Sequence, residues 1–188
     1  MATSNTEICN MALAALGLAP ISSLANDASQ AGIHCRIKWP ETRDEILRAA
    51  FWRCLMARTG PLAADAAAPA FGYDYRFALP SDCVRVMELS VDVDWTVEGG
   101  FLLTSEELPY IRYISYDKAA DQVVKFDAHL TTALAAELAA KLAPGLKSAS
   151  RLPALVTLAR DALANAKFLS AIEARPVQAN PTALLDVR

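Results

Sequence analysis

Much of what usually betrays chemistry is scarce in this sequence. No apolar run approaches the roughly 20 residues that a helix needs to cross a bilayer, so no membrane-spanning helix and no membrane partner are expected. The opening MATSNTEICN has no basic segment ahead of an apolar core, so the chain is expected to lack a signal peptide and to start in the cytoplasm. Positive charge is also short. With 18 lysines and arginines against 21 acids the net charge is −3, whereas a protein that grips phosphates normally carries a basic patch. The best candidates, Arg43, Arg48, Arg53 and Arg58, recur every five residues. Each step turns a helix by roughly 140°, so they share no face and read as solvated charges rather than a nucleic-acid groove.

Histidine and cysteine are few. The two histidines are His34 and His129. His34 adjoins Cys35, but adjacent helical positions point about 100° apart and do not share a target. Packing roles are expected for both histidines. No two of Cys9, Cys35, Cys54 and Cys83 lie within five residues, which removes a zinc-type pair and leaves buried free thiols as the expected state. Only seven glycines are present, and neither GxxxxGK[ST] nor GxGxxG occurs. Asp92, Asp94, Glu106 and Glu107 lack the spacing of a calcium loop and read as solvated strand ends. No catalytic residue, no metal ligand and no cofactor is therefore expected, and the chain reads as a non-enzyme.

Hydrophobic residues, by contrast, make up 54% of the chain, many of them alanine. Alanine favours helices that pack closely. The apolar excess also fits subunit interfaces, so an oligomer is expected. The length suits one domain.

Ser4-Asn5-Thr6-Glu7 has the form of a capping box, predicting a helix over 5–16 with Ile8, Met11, Ala12, Ala15 and Leu16 inward. Gly17 and Pro20 end it. Asp27 or Ser29 can cap a second helical region near 30–57, broken or kinked at Pro40, with Ile33 and Ile37 four apart. Ile46, Leu47, Ala50, Phe51, Cys54 and Leu55 form its wide apolar face, and Asp44 and Arg48 an outer i,i+4 pair. Phe126, Leu130, Leu134, Leu138 and Leu142 recur every four residues and predict a helix over 126–142. A fourth helix is predicted over 152–172, with Leu155, Val156, Ala159, Leu163, Ala166 and Leu169 inward.

Between these helices the period changes. Phe71, Tyr73, Tyr75 and Phe77 alternate with Gly72, Asp74 and Arg76, the pattern of a strand with one buried face. These aromatic rings are read as core rather than as a platform for nucleobases. Leu79-Pro80-Ser81-Asp82 marks a turn, and strand resumes over 84–89. Gly99-Gly100 predicts a tight hairpin, and 110–116 is a further strand. The expected architecture is α+β, mainly an α-helical bundle (1–60 and 120–172) with an inserted small antiparallel sheet of about four strands (71–116). An extended C-terminal arm (173–188) follows.

The order of segments resembles a phage family. TEICNMALAALGLAPISSL, WPETRDEILRAAFWRCLMAR and PAFGYDYRFALPSDCVRVMEL, followed by VEGGFLLT, PYIRYISY and FDAHLTTALAAELAAKLAP, look like the head-to-tail adaptor (tail tubular protein A-like) family of short-tailed phages. Related adaptors occur in long-tailed phages and gene transfer agents. The likeness spans nearly the whole chain, and the aromatic strand followed by LPSD and VRVMEL is its most specific part.

The resemblance implies a structural virion protein at the head–tail junction, assembled in the host cytoplasm. About twelve copies would form a ring below the portal protein, the contact of each subunit with the next being heterologous. The ring would extend the DNA channel, dock the tail nozzle protein and let double-stranded DNA pass without specific recognition. Two other readings stand beside it: a stopper or tail-completion protein of a long-tailed phage or gene transfer agent, and a small cytoplasmic enzyme or ligand-binding module. Terminal arms grip the portal or a neighbour in related adaptors. That makes Pro176, Pro181, Leu184, Leu185 and Arg188 the candidate partner-binding residues, with Leu184 and Leu185 as anchors.

Overall fold

The computed structural model describes residues 4–117, 125–146 and 149–173. Among these residues the fold is α+β, with four α-helices and two three-stranded antiparallel sheets in three layers. One apolar core lies between the helices and the first sheet, and a second lies between the two sheets.

Helix α1 spans Asn5–Ala15. The capping box is present: the Glu7 amide donates to Ser4 Oγ at 3.1 Å, and the Ser4 amide donates to Glu7 Oε2 at 2.8 Å. Ile8, Ala12 and the flanking Leu16 are buried as predicted. Met11 and Ala15 are exposed instead, because the buried face is rotated towards Cys9 and Leu13.

Helix α2 spans Gln30–Arg48, and Ser29 caps it by accepting from the Gly32 amide. Of the two outcomes expected at Pro40 the break is excluded: its ring is exposed and the helix continues through it. The helix stops at Arg48 rather than near 57, against expectation. Trp52 folds back, fully buried, and its indole N–H donates to the Ile46 carbonyl at 2.8 Å. The same carbonyl accepts from the Ala49 amide at 3.0 Å, so the helix end closes on it from two sides. Trp52 and Leu55 thus reach the helical core through a 3-10 turn over Arg53–Leu55 rather than as a continuation of α2, while Phe51 stays exposed. Ile33 and Ile37 are exposed too; Cys35, Trp39, Ile46 and Leu47 form the buried face.

Helix α3 spans Ala128–Leu142, capped by Asp127, which accepts from the Leu130 amide at 2.7 Å. Leu130, Leu134, Leu138 and Leu142 are buried, as are Ala133, Ala135, Ala136, Ala139 and Ala140. A helix apolar on nearly every side belongs in the middle. Accordingly, α3 packs against α1, α2 and α4, the last spanning Leu152–Ile172. In α4 Leu155, Ala159 and Ala166 are buried as predicted, but Val156 is exposed and Ser170 is buried.

The strands are β1 Met56–Thr59, β2 Tyr75–Ala78, β3 Cys83–Leu89, β4 Trp95–Glu98, β5 Phe101–Thr104 and β6 Ile111–Ser115. The expected single inserted sheet is two sheets, ordered β1-β6-β3 and β2-β5-β4. The first recruits β1 from the stretch read as helix, which is why the fold is not mainly a helical bundle. The Gly99-Gly100 hairpin joins β4 to β5, with positive φ at both glycines.

Strand β3 serves both cores through two register shifts. Cys83, Arg85, Val86, Glu88 and Leu89 pair with β6, whereas Val84 and Met87 fall at the shifts. Val84 and Met87 turn to the helical core, while Val86 and Leu89 turn to the core between the sheets. Phe77 and Leu102 meet them from the second sheet. The aromatic ladder is therefore shorter than predicted. Phe77 is buried and Tyr75 half-buried, but Phe71 precedes the strand and is 88% exposed.

Candidate functional site

Among the described residues the histidines and cysteines are spread over several elements. His34 is half-buried with its ring against Gly145, where a Cβ would stand 2.6 Å from Cε1. His129 is exposed on the first turn of α3. Cys9 and Cys35 are buried together where α1 meets α2. A hydrogen bond from Cys9 lowers the Cys35 pKa against the opposing effect of burial. Burial pushes the Cys54 thiol up to about 12 and the Cys83 thiol up to about 11, so both are held protonated near neutrality. Among the described residues no three His, Cys, Asp or Glu side chains are grouped to hold a metal. Asp92, Asp94 and Glu106 do line one open hollow beside Tyr73.

Asp82 of the LPSD turn gathers hydroxyls. Ser115 Oγ donates to its carboxylate at 2.5 Å and Tyr113 Oη at 3.3 Å, while the Tyr116 amide donates to its carbonyl at 2.8 Å. Tyr113 is pushed up by burial first and by the Asp82 charge second. Both hydroxyls direct their protons at the one carboxylate. The arrangement pins the turn before β3 to the end of β6.

The arginine series is dispersed, but not by helical rotation: only Arg43 and Arg48 lie on α2, and Arg43 is buried rather than solvated as expected. Arg43 pairs with Asp44 at 2.7 Å and stacks over the Tyr116 ring at 4.9 Å. Arg53 sits in the turn before β1 and Arg58 on β1 itself.

Two surface features do stand out. The first is an open cleft of about 320 Å³ at the far end of the first sheet. Arg58 of β1 lies directly opposite Arg112 of β6 in the ladder, and Glu88 of β3 lies opposite Arg112 on the other side. Glu88 pairs with Arg112. Thr59, Leu89, Ser90, Tyr110 and Ile111 complete the lining. Strand alternation in MART and IRYIS hints that each arginine faces outward, but the pairing that sets them side by side is non-local and was missed in the sequence.

The second feature is the outer face of α4. Leu158, Phe168 and Ile172 are 52%, 63% and 58% exposed. By the 3.6-residue repeat they fall within about 80° of one another, away from the buried face.

The predicted partner-binding residues Pro176, Pro181, Leu184, Leu185 and Arg188 lie outside the described residues. No helix among the described residues is long and apolar enough to cross a membrane. Comparison with known protein families and with curated proteins finds no match to this chain.

Proposed function

We propose that the chain is a head-to-tail connector adaptor, a structural virion protein that assembles as a ring below a portal, extends the DNA channel and docks the tail nozzle. The reading starts from the segment order described above. The observation that carries it furthest is the outer face of α4, where Leu158, Phe168 and Ile172 are presented to solvent on a 21-residue helix held to the fold through Leu155, Ala159, Ala166 and Ser170. Phe168 and Ile172 are neighbours one turn apart, with Leu158 further along the same face beyond Asp161 and Asn165, and exposed apolar side chains gathered on one helix face suit contacts with other chains. A ring contact is heterologous: one face of each subunit meets a different face of the next. The α4 face supplies one half of such a contact.

In this reading residues 176–188 form the arm that grips the portal or a neighbour, with Leu184 and Leu185 as anchors. The acidic balance suits a conduit for DNA, because a wall that bound phosphates tightly would hinder passage. Mixing the purified chain with the portal of the same particle, then sizing the product, tests the proposal. A stable complex with many copies of this chain per portal is expected. Separate elution of both proteins at micromolar concentration contradicts the adaptor role.

A further inference from the structure

We infer that the cleft between Arg58 and Arg112 is a docking point for an acidic side chain on a protein partner, and that Glu88 is the chain's own stand-in for it. The site stands on the cleft alone and does not depend on a ring.

Like charges placed directly opposite in a sheet repel. Arg58 and Arg112 hold that position, yet one carboxylate, that of Glu88, serves the pair. Among the described residues no acid pairs with Arg58, whose side chain is exposed. Arg112 Nε is buried and finds no acceptor among the described residues. Two guanidinium groups and one carboxylate leave a formal charge of +1, since 2 − 1 = 1. That residue of charge matches a monoanion. A carboxylate also fits the forked donors of arginine.

The neighbours narrow the ligand. Glu88 repels a phosphate dianion more than a carboxylate, and two arginines are too few for the run of cations that follows a nucleic-acid backbone. Leu89, Ile111 and the half-exposed ring of Tyr110 give the cleft apolar walls, which suit an acid flanked by apolar residues. The Glu88 side chain is itself 51% exposed, so turning it into solvent costs little burial.

The test uses the full-length ¹⁵N-labelled chain and three probes at constant ionic strength: the blocked peptide acetyl-Leu-Glu-Leu-amide, its glutamine counterpart, and inorganic phosphate. The glutamate peptide is expected to produce saturable shifts at the Arg58 and Arg112 side-chain N–H groups. The glutamine peptide should bind about tenfold more weakly, as for loss of one charge-assisted contact. Glu88→Gln should tighten binding of the glutamate peptide, and Arg58→Gln should weaken it about tenfold without lowering the melting temperature, since it also relieves the repulsion from Arg112. Equal binding of the two peptides, weaker binding to the Glu88→Gln variant, or shifts that never saturate would each overturn the inference. Phosphate binding more tightly than the glutamate peptide would overturn it in favour of a phosphate-bearing partner.

Discussion

Ser170 on α4 holds the chain where it leaves α2 for β1, through the backbone of Arg53. The Arg53 amide donates to Ser170 Oγ at 3.0 Å, and the same hydroxyl donates to the Phe51 carbonyl at 3.0 Å. One buried side chain thereby satisfies a donor and an acceptor in the link between α2 and β1, where a single 3-10 turn begins at Arg53. Ser170→Ala leaves both backbone groups without that partner. The expected loss is about 1–3 kcal/mol, read as a lower urea midpoint with unchanged slope. An unshifted midpoint would mean that the bridge is dispensable.

Leu134 and Leu138 sit in the middle of α3, each fully buried among three helices. Leu134→Ala or Leu138→Ala should cost roughly 2–5 kcal/mol, the range for large-to-small changes in a core. Melting curves that coincide with the parent for both variants would contradict the central position of α3.

Gly32 reverses a familiar rule. Replacing a helical glycine by alanine ordinarily stabilises by about 1 kcal/mol. A Cβ at Gly32, however, would stand 2.7 Å from the Asp27 carbonyl oxygen and 2.8 Å from its Cβ and Oδ1. The obstruction includes backbone, so it yields only if the turn before α2 moves. Gly32→Ala should therefore destabilise, by about 1–3 kcal/mol as for an overpacked site. A raised melting temperature would show that the turn adapts freely.

Asp27 also makes the acid limb of stability testable. Hydrogen bonds from Ser29, then from Ser22, hold its carboxyl at about 2, below the ordinary 3.8. A depressed folded-state pKa contributes stability that is present above 3.8 and lost as pH falls towards 2. Asp27→Asn should flatten the fall in melting temperature across that window relative to the parent. Parallel curves would show that other carboxylates govern it.

What could be read in the sequence was local. Ser4 and Glu7 are three residues apart, and their reciprocal bonds need nothing beyond one helical turn. Gly99-Gly100 announces its hairpin, and the four leucines of α3 announce a buried helix. What escaped depends on partners far along the chain. The stretch 49–57 keeps a helical apolar rhythm, yet Trp52 fixes the helix end and β6 claims Met56–Thr59 as strand. Phe71 has the right period for the strand, but the ladder on β5 ends opposite Tyr75. Ser170 reads as polar and outward until its partners at 51 and 53 are known. The cleft was illegible for the same reason: Arg58, Glu88 and Arg112 come from three strands.

The adaptor reading makes one claim about place, and electron microscopy tests it most directly. Particles made by the genome that encodes this chain should show it as a ring of copies immediately below the portal. The α4 face, with Leu158, Phe168 and Ile172, should lie against a neighbouring chain. Density for this chain elsewhere in the particle, or particles complete without it, would contradict the account.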